Sequence, residues 1–514
     1  MMTWLPVLPI LLPLLAAALQ LLAGAHRRRR VAAVSVVSCV ALLVLALVLV
    51  VDMSTAPPQV YRIGDWPARF GIVLVVDRLS ALMLLITAVL ALAVVPHLLG
   101  RWIYHGVYLQ PLVQLLLCGV NGAFLTGDLF NLFVFFEVLL AASYGLSLYG
   151  SGPRRVGASL HYIAINLAAS ALLLVGISLV LAATGSLNMA AIARQVPQLT
   201  DNARLLLHVG AGLLALAFLV KAAIWPLGFW LPRTYSSAIA PVAALFAIMT
   251  EVGVYVLLRL SVLVLGADAG PSARLGADVL LALGVVSVGV ATIGVLGARE
   301  LGKLAAWSVL LSSGTLVGAI GVQQPLVTAG ALAYLAISVP SLAALFLLTG
   351  LIVDEQETQE PQQLEPYDPA GDALYEHEDE RDLRSPLSVV IVSVAFFATA
   401  ILLTGLPPFA GFLAKFSLLA PLLNYGVGAQ CLFAAILLGG FGTLVAFCRA
   451  GIQIFWADDQ WVFPRVRGRN VLPVAGLLLL CLAFSAWTVA PWHYVESAAQ
   501  QIHAAALYQQ AVLP

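Results

Sequence analysis

The chain is a succession of apolar runs, each about as long as a bilayer is thick. A hydrocarbon core of about 30 Å takes about 20 residues of helix to cross. Runs of that size lie near 4–23, 31–51, 72–96, 108–127, 128–150, 160–183 and 203–225. Seven more lie near 236–260, 274–297, 303–322, 326–352, 387–424, 428–456 and 471–490. The runs are continuous rather than alternating, which disfavours a β-barrel. They predict an all-α polytopic membrane protein of about fourteen transmembrane helices. Composition agrees: 62% of residues are hydrophobic and 10% charged, against about 25% charged in soluble domains. The N-terminus is apolar before it is basic, the reverse of a cleavable signal peptide, so Leu5–Ala23 reads as a first helix that stays. The weakest boundary is the turn at Thr126-Gly127-Asp128. The run 387–424 is too long for one straight span and contains Leu406-Pro407-Pro408, which predicts a discontinuous helix.

Loop charges orient these spans. The stretch His26-Arg27-Arg28-Arg29-Arg30 follows the first run and is assigned to the cytoplasm by the positive-inside rule. Fourteen spans then put fifteen basic residues on that side, among them Arg101, Arg154, Arg155, Lys303 and Arg465, and seven on the other, including Arg62, Arg78 and Arg259. Lys221, Lys415 and Arg449 remain within spans, and snorkelling from a helix end accounts for Arg449. Both termini are expected on the non-cytoplasmic side of the membrane. Residues 354–385 hold twelve of the 25 acidic residues and three prolines. Such a segment cannot bury enough apolar surface to order itself. It is read as a solvated cytoplasmic loop, with recruitment of a basic partner or cations as the other reading. The tail after Tyr494 is compatible with a surface helix.

Several function classes drop out. Net charge is zero, so no basic field points to nucleic acid. Five dispersed cysteines form no CxxC or Cys/His spacing for a metal or cluster. No dinucleotide, phosphate-loop or haem-attachment motif is present. No cofactor, no resident metal and no catalytic residue is therefore expected.

What remains is the charge inside the membrane. A charge at the bilayer centre costs on the order of 3 kcal/mol and usually faces a polar pathway. Four residues qualify: Glu137 in its span's middle, Lys221 just before Trp225-Pro226, Glu251 beyond Pro241, and Lys415 one to two turns after Pro407-Pro408. Pro226, Pro241, Pro407 and Pro408 are expected to break helices. One reading of Glu137 and Lys221 is a buried salt bridge that fixes helix packing. The other is a proton relay, because a nearby acid and burial act oppositely on a lysine's affinity for its proton. Lys415 has no acid in its own span.

Two lysines beside proline-broken helices, in comparable places of two halves, is the pattern of inverted-repeat transporters. Lys221 falls in the seventh span and Lys415 in the twelfth, an odd offset that reverses orientation. The predicted divisions are 1–107 for the first three helices, 108–260 and 274–456 for two five-helix units, and 471–514 for the last helix and tail.

The run GAFLTGDLFNLFVFFEVLLAASYGL, followed by VKAAIWPLGFWLPRTYSSAIAPVAALFAIMT and later GLPPFAGFLAKF, resembles the D-type subunit of the Mrp-type monovalent cation/proton antiporters. That family is related to the antiporter-like membrane subunits of respiratory complex I. The resemblance runs from DRLSALM at Asp77–Met83 to about Phe455. It implies fourteen helices with two inverted five-helix repeats, broken seventh and twelfth helices, a Glu137–Lys221 pair and a terminal relay lysine at Lys415. It also implies a hetero-oligomeric complex in the bilayer that exchanges protons for Na⁺ or K⁺, Na⁺ being expected. Two positions depart from the family pattern: Glu251 stands where lysine is usual, and Ile337 where histidine is frequent. Three readings stay open. The relay runs through water and hydroxyls such as Thr250, Ser312, Ser313 and Ser338; or Glu251, beside Thr250, carries a proton or a cation; or the subunit is structural with an impaired relay. A proton-pumping subunit of a complex I-like or hydrogenase redox complex is the alternative function.

Overall fold

The computed structural model describes residues 4–24, 27–68, 71–101, 108–150, 152–353, 386–456 and 468–513. The acidic segment 354–385 and the basic residues 465 and 467 lie outside the described residues. Near the N-terminus come α1 (Leu8–Ala23), α2 (Arg28–Thr55), a two-stranded antiparallel hairpin of β1 (Gln59–Arg62) and β2 (Val73–Val76), and α3 (Arg78–Arg101). Then follow α4 (Leu109–Leu125), α5 (Leu129–Ser147), α6 (Pro153–Thr184), the short α7 (Met189–Gln195), α8 (Asp201–Lys221), α9 (Leu231–Ser237) and α10 (Ala240–Arg259). The second half contains α11 (Ala277–Gly297), α12 (Leu301–Val322), α13 (Pro325–Val353), α14 (Pro386–Thr404), α15 (Ala410–Leu422) and α16 (Gly426–Phe455). It closes with α17 (Gly468–Ala486), α18 (Val489–His503) and α19 (Ala505–Val512).

Among the described helices, 11 are long and apolar enough to cross a membrane, or 12 if the pair α17 and α18, bent by 88°, is taken as one span. The shorter apolar helices Leu109–Leu125, Ser388–Thr404 and Ala410–Leu422 occupy the remaining predicted runs. The chain is an all-α, multi-pass membrane protein. The turn at residues 126–128 is real: Asp128 caps α5 by accepting from the Phe130 and Asn131 amides at 2.9 and 3.0 Å, and Thr126 pairs with Leu74 of the hairpin.

Proline position decides its effect. The seventh run breaks after Lys221, where turns around Trp225-Pro226 separate α8 from α9. The twelfth breaks at residues 405–409, between α14 and α15. Pro241 does something else: it stands in the first turn of α10, where its missing N–H costs nothing. It therefore starts a helix rather than interrupting one.

Burial is concentric. Over their most apolar 18 residues, Ala240–Val264, Leu301–Val322 and Pro325–Ile352 are 100, 94 and 94% buried, whereas Pro153–Thr184, Asp201–Lys221 and Gly426–Phe455 are each 39% buried. The outer helices present apolar side chains such as Leu160, Val175, Val209 and Leu438 outward, as a lipid-facing surface requires. The spans of α10, α12 and α13 lie in the interior together with α4, 15 of whose 17 residues are buried. Arg259, counted from sequence among the basic residues of the non-cytoplasmic side, is 3% exposed at the end of α10. It makes a two-pronged ion pair with Asp77 at 2.8 and 3.0 Å.

Candidate functional site

The Asp128 cap fixes the start of α5 and so the depth of Glu137 within it. One Glu137 carboxylate oxygen is buried and has no hydrogen-bond partner. Across from it, Lys221 is the last residue of α8 and only 4% exposed. Its Nζ donates to Ser170 Oγ at 3.3 Å and lies 4.9 Å from the centre of the Phe136 ring. Glu137 and Lys221 act on each other electrostatically, yet no ion-pair contact joins them among the described residues. The two are near without being locked together.

The break after Lys221 is anchored on both sides. The Trp225 amide donates to Ser287 Oγ at 3.0 Å, and Trp230 Nε1 donates to the Val220 carbonyl at 3.2 Å. Folding back in this way brings Tyr235 of α9 against α10. A cavity of about 10 Å³ is lined by Phe136, Lys221, Trp230, Tyr235 and Thr250, among others. That is near the space one water occupies. On its far side the Tyr235 hydroxyl shares a hydrogen bond with Thr250 Oγ1 at 2.7 Å and donates to the Phe246 carbonyl at 2.8 Å.

Glu251 follows Thr250 directly. Its exposure is 0%, and neither carboxylate oxygen has a hydrogen-bond partner. It acts electrostatically on Tyr235 and on Tyr334 of α13. The Tyr334 hydroxyl faces the Ser312 and Thr315 hydroxyls of α12, and Ser312 Oγ donates to Ser338 Oγ at 3.3 Å. Ser313, also fully buried, has an unpartnered hydroxyl. Ile337 adds an apolar side chain, 6% exposed.

Lys415 is held differently. Its Nζ donates to the carbonyls of Leu403 and Thr404, at 2.8 and 2.9 Å. Those are final carbonyls of α14, left without an intrahelical partner by the break and carrying the negative end of the helix dipole. The partner missing from the sequence of Lys415's own span is therefore backbone. Among the described hydrogen bonds none leads from Ser338 to Lys415.

The structure places Lys221 and Thr250 on one small cavity, Glu251 next to Thr250 in sequence, and Ser312 against Ser338, and it leaves Lys415 at a separate site. Sequence reasoning missed Tyr235, Tyr334 and Ser170, and it missed the Asp77–Arg259 pair. A tyrosine inside a strongly apolar run was a signal for Tyr334, whereas Tyr235 stands in the polar stretch LPRTYSS and carried none.

Residues 126–441 match the family model described as NADH:quinone oxidoreductase/Mrp antiporter, TM. A probable K(+)/H(+) antiporter D subunit of Rhizobium meliloti is 42% identical, with 99% of this chain and 97% of that protein covered. The Na(+)/H(+) antiporter D subunit of Alkalihalophilus pseudofirmus is 33% identical, with 99% of each chain covered. Among solved structures, a chain of the Mrp complex from Dietzia sp. DQ12-45-1b superposes with a TM-score of 0.85 at 27% identity, covering 100% of both chains. Full-length similarity at this level, together with the family match, leaves one conclusion: the chain belongs to the NADH:quinone oxidoreductase/Mrp antiporter transmembrane family.

Proposed function

We propose that the chain is a membrane subunit of a multisubunit cation/proton antiporter and that it moves protons along the row beginning at Glu137 and Lys221. The observation that carries this reading is the placement of Lys221. It is a buried amine at the end of a broken helix, near an acid that does not clamp it and open to a cavity on its other side. A lysine so placed can gain and release a proton, which a permanent ion pair would prevent. Lys415, on the carbonyls at the second break, is the terminal station. The two broken spans support a division into two inverted five-helix units, 108–260 and 274–456. The face bearing Arg28–Arg30 and Lys303 is cytoplasmic. Proton entry from the other face supplies about 2.3 kcal/mol per charge per 100 mV, which drives Na⁺ or K⁺ outward through the complex.

The test is cation/proton exchange by the complete complex in vesicles, with Na⁺, K⁺ and Li⁺ compared. Glu137→Ala should abolish exchange while the complex still assembles. Lys221→Arg should be nearly as harmful, since arginine keeps its proton. Wild-type exchange by an assembled Glu137→Ala complex would remove the relay.

A further inference from the structure

Each broken span leaves backbone amides that its own helices cannot satisfy, and inside a membrane such amides need acceptors from the protein. Several amides at the two breaks bond locally, as Ile224 does to the Leu219 carbonyl and Leu406 to the Ile401 carbonyl. Two reach much further. The Trp225 amide donates to Ser287 Oγ of α11 at 3.0 Å, and the Ala410 amide donates to Ser485 Oγ of α17 at 2.6 Å. Among the described hydrogen bonds, one other backbone amide reaches a side chain more than three residues away, that of Arg78 at the start of α3. The two serines hold matching places. In the order of apolar runs, the breaks fall in the seventh and twelfth, and Ser287 and Ser485 in the ninth and fourteenth. Each break is thus held from two runs further along the chain, and break and serine both recur after five runs.

Each serine is itself held. Ser287 is 0% exposed, and Gly314 of α12 packs against it so closely that a Cβ there would lie 2.9 Å from Ser287 Cβ. Ser485 donates its own proton to the Cys481 carbonyl at 3.3 Å, which leaves its lone pairs for the Ala410 amide. What the serines hold is the chain beside each lysine. Trp225 lies four residues after Lys221, on a turn tied elsewhere only through Trp230 to the Val220 carbonyl among the described side-chain bonds. Ala410 opens α15 five residues before Lys415, whose Nζ reaches back to the Leu403 and Thr404 carbonyls of α14. A small displacement of either segment moves an amine off its partners. We propose that Ser287 and Ser485 are positioning residues, each fixing one amide of a broken span so that its lysine stays in place for proton exchange. Because α11 belongs to the second five-helix unit, Ser287 also ties Lys221 of the first unit to movements of its neighbour. For what the lysines do, this rests on the relay reading above.

The experiment compares alanine, cysteine and threonine at Ser287, and the same three changes at Ser485, in the assembled complex. Alanine removes the acceptor, cysteine keeps most of the volume with a weak acceptor, and threonine keeps the hydroxyl. Two quantities are read: cation/proton exchange in vesicles across pH, and deuterium uptake by the segments around Trp225 and Ala410, followed by mass spectrometry. Ser287→Ala, Ser287→Cys, Ser485→Ala and Ser485→Cys should each exchange ions about tenfold more slowly per assembled complex. Their pH of half-maximal exchange should be displaced, and the altered break should take up deuterium faster. Ser287→Thr and Ser485→Thr should restore all three. Wild-type rates and pH profiles in the alanine and cysteine variants overturn the proposal. So does a loss that threonine repairs at neither site, or one that follows only the amount of assembled complex. Deuterium uptake needs no turnover, so it separates the anchors from the relay. Full ion exchange in Glu137→Ala with faster uptake in Ser287→Ala would fail the relay alone. Unchanged uptake in Ser287→Ala and Ser485→Ala would fail the anchors alone.

Discussion

At the residue scale, the same chemistry is held by unlike partners. Lys221 faces an acid, a hydroxyl and a ring face, whereas Lys415 rests on two carbonyls. The Asp77–Arg259 pair is a different kind of charge, with both members buried and ring faces of Tyr255 and Tyr508 lying 5.0 and 5.4 Å from the guanidinium. Burial alone pushes the Asp77 carboxyl up, but the Arg259 guanidinium, together with hydrogen bonds from Ser80, holds it below the ordinary carboxylate range. A carboxyl held low in the folded state stabilises above its unfolded value, about 3.9, and that stabilisation fades as pH falls through the lower folded value. The thermal midpoint of the purified protein should thus owe nothing to this pair's titration from neutral pH down to about 4, and the pair's contribution should be lost below. Asp77→Asn leaves a buried arginine unpaired and should cost about 3–5 kcal/mol, read as a lowered melting midpoint at neutral pH.

Glu137, Lys221, Glu251 and Lys415 were legible because an ionisable side chain stands out in a chain with 10% charge. Hydroxyls do not stand out. Most of them satisfy themselves on a carbonyl one turn back, as Ser308 and Thr315 do, so the few that face a pathway leave no mark in sequence. Asp77 and Arg259 stand near span ends, where a charge ordinarily orients a helix. Their contact crosses 182 positions and has no local trace.

At the element scale, the breaks were foreseeable from proline and the close approaches were not. Gly405 in the second break has φ +78°, and a Cβ there would lie 2.5 Å from Lys415 Cδ. In the first break, a Cβ on Gly228 would lie 1.9 Å from the Ala223 carbonyl oxygen. Both turns need glycine for room, and Gly405 also needs it for its left-handed backbone. Gly405→Ala should destabilise by only about 1–2 kcal/mol yet push Lys415 off the end of α14. Vesicle exchange should fall tenfold or more while assembly and melting change little; unchanged exchange would mean that the position of Lys415 is not critical. A second seam joins α11 to α12, where a Cβ on Gly284 would come within 2.3 Å of Gly318 Cα. Nothing in the apolar pattern of either helix distinguishes that approach.

At the scale of the whole molecule, the order of apolar runs was readable and their concentric arrangement was not, because lipid and protein interior select the same side chains. Fully buried α10 and half-exposed α6 are alike in sequence. The helices α18 and α19 meet the β-hairpin and the start of α3, where Arg62 donates to the Val512 carbonyl and the Arg78 amide donates to Gln501 Oε1. Sidedness is testable with single cysteines in a background lacking native ones. In intact cells an impermeant maleimide should label Trp66→Cys and Trp487→Cys, both at exposed positions, and should spare Arg154→Cys until the membrane is opened. The reverse pattern would invert the topology.

The contacts on that face also have an order in time. Tyr508 stacks near Arg259, Tyr494 Oη donates to the Arg78 carbonyl, and Gln501 receives the Arg78 amide across 423 positions. A ribosome makes these residues after the partners they contact. Until α18 and α19 emerge, the hairpin, the start of α3 and the buried ion pair remain uncovered, so these earlier elements wait on later ones. A nascent chain stopped short of Thr488 would carry every residue of the buried row and still present an unfinished face to membrane quality control.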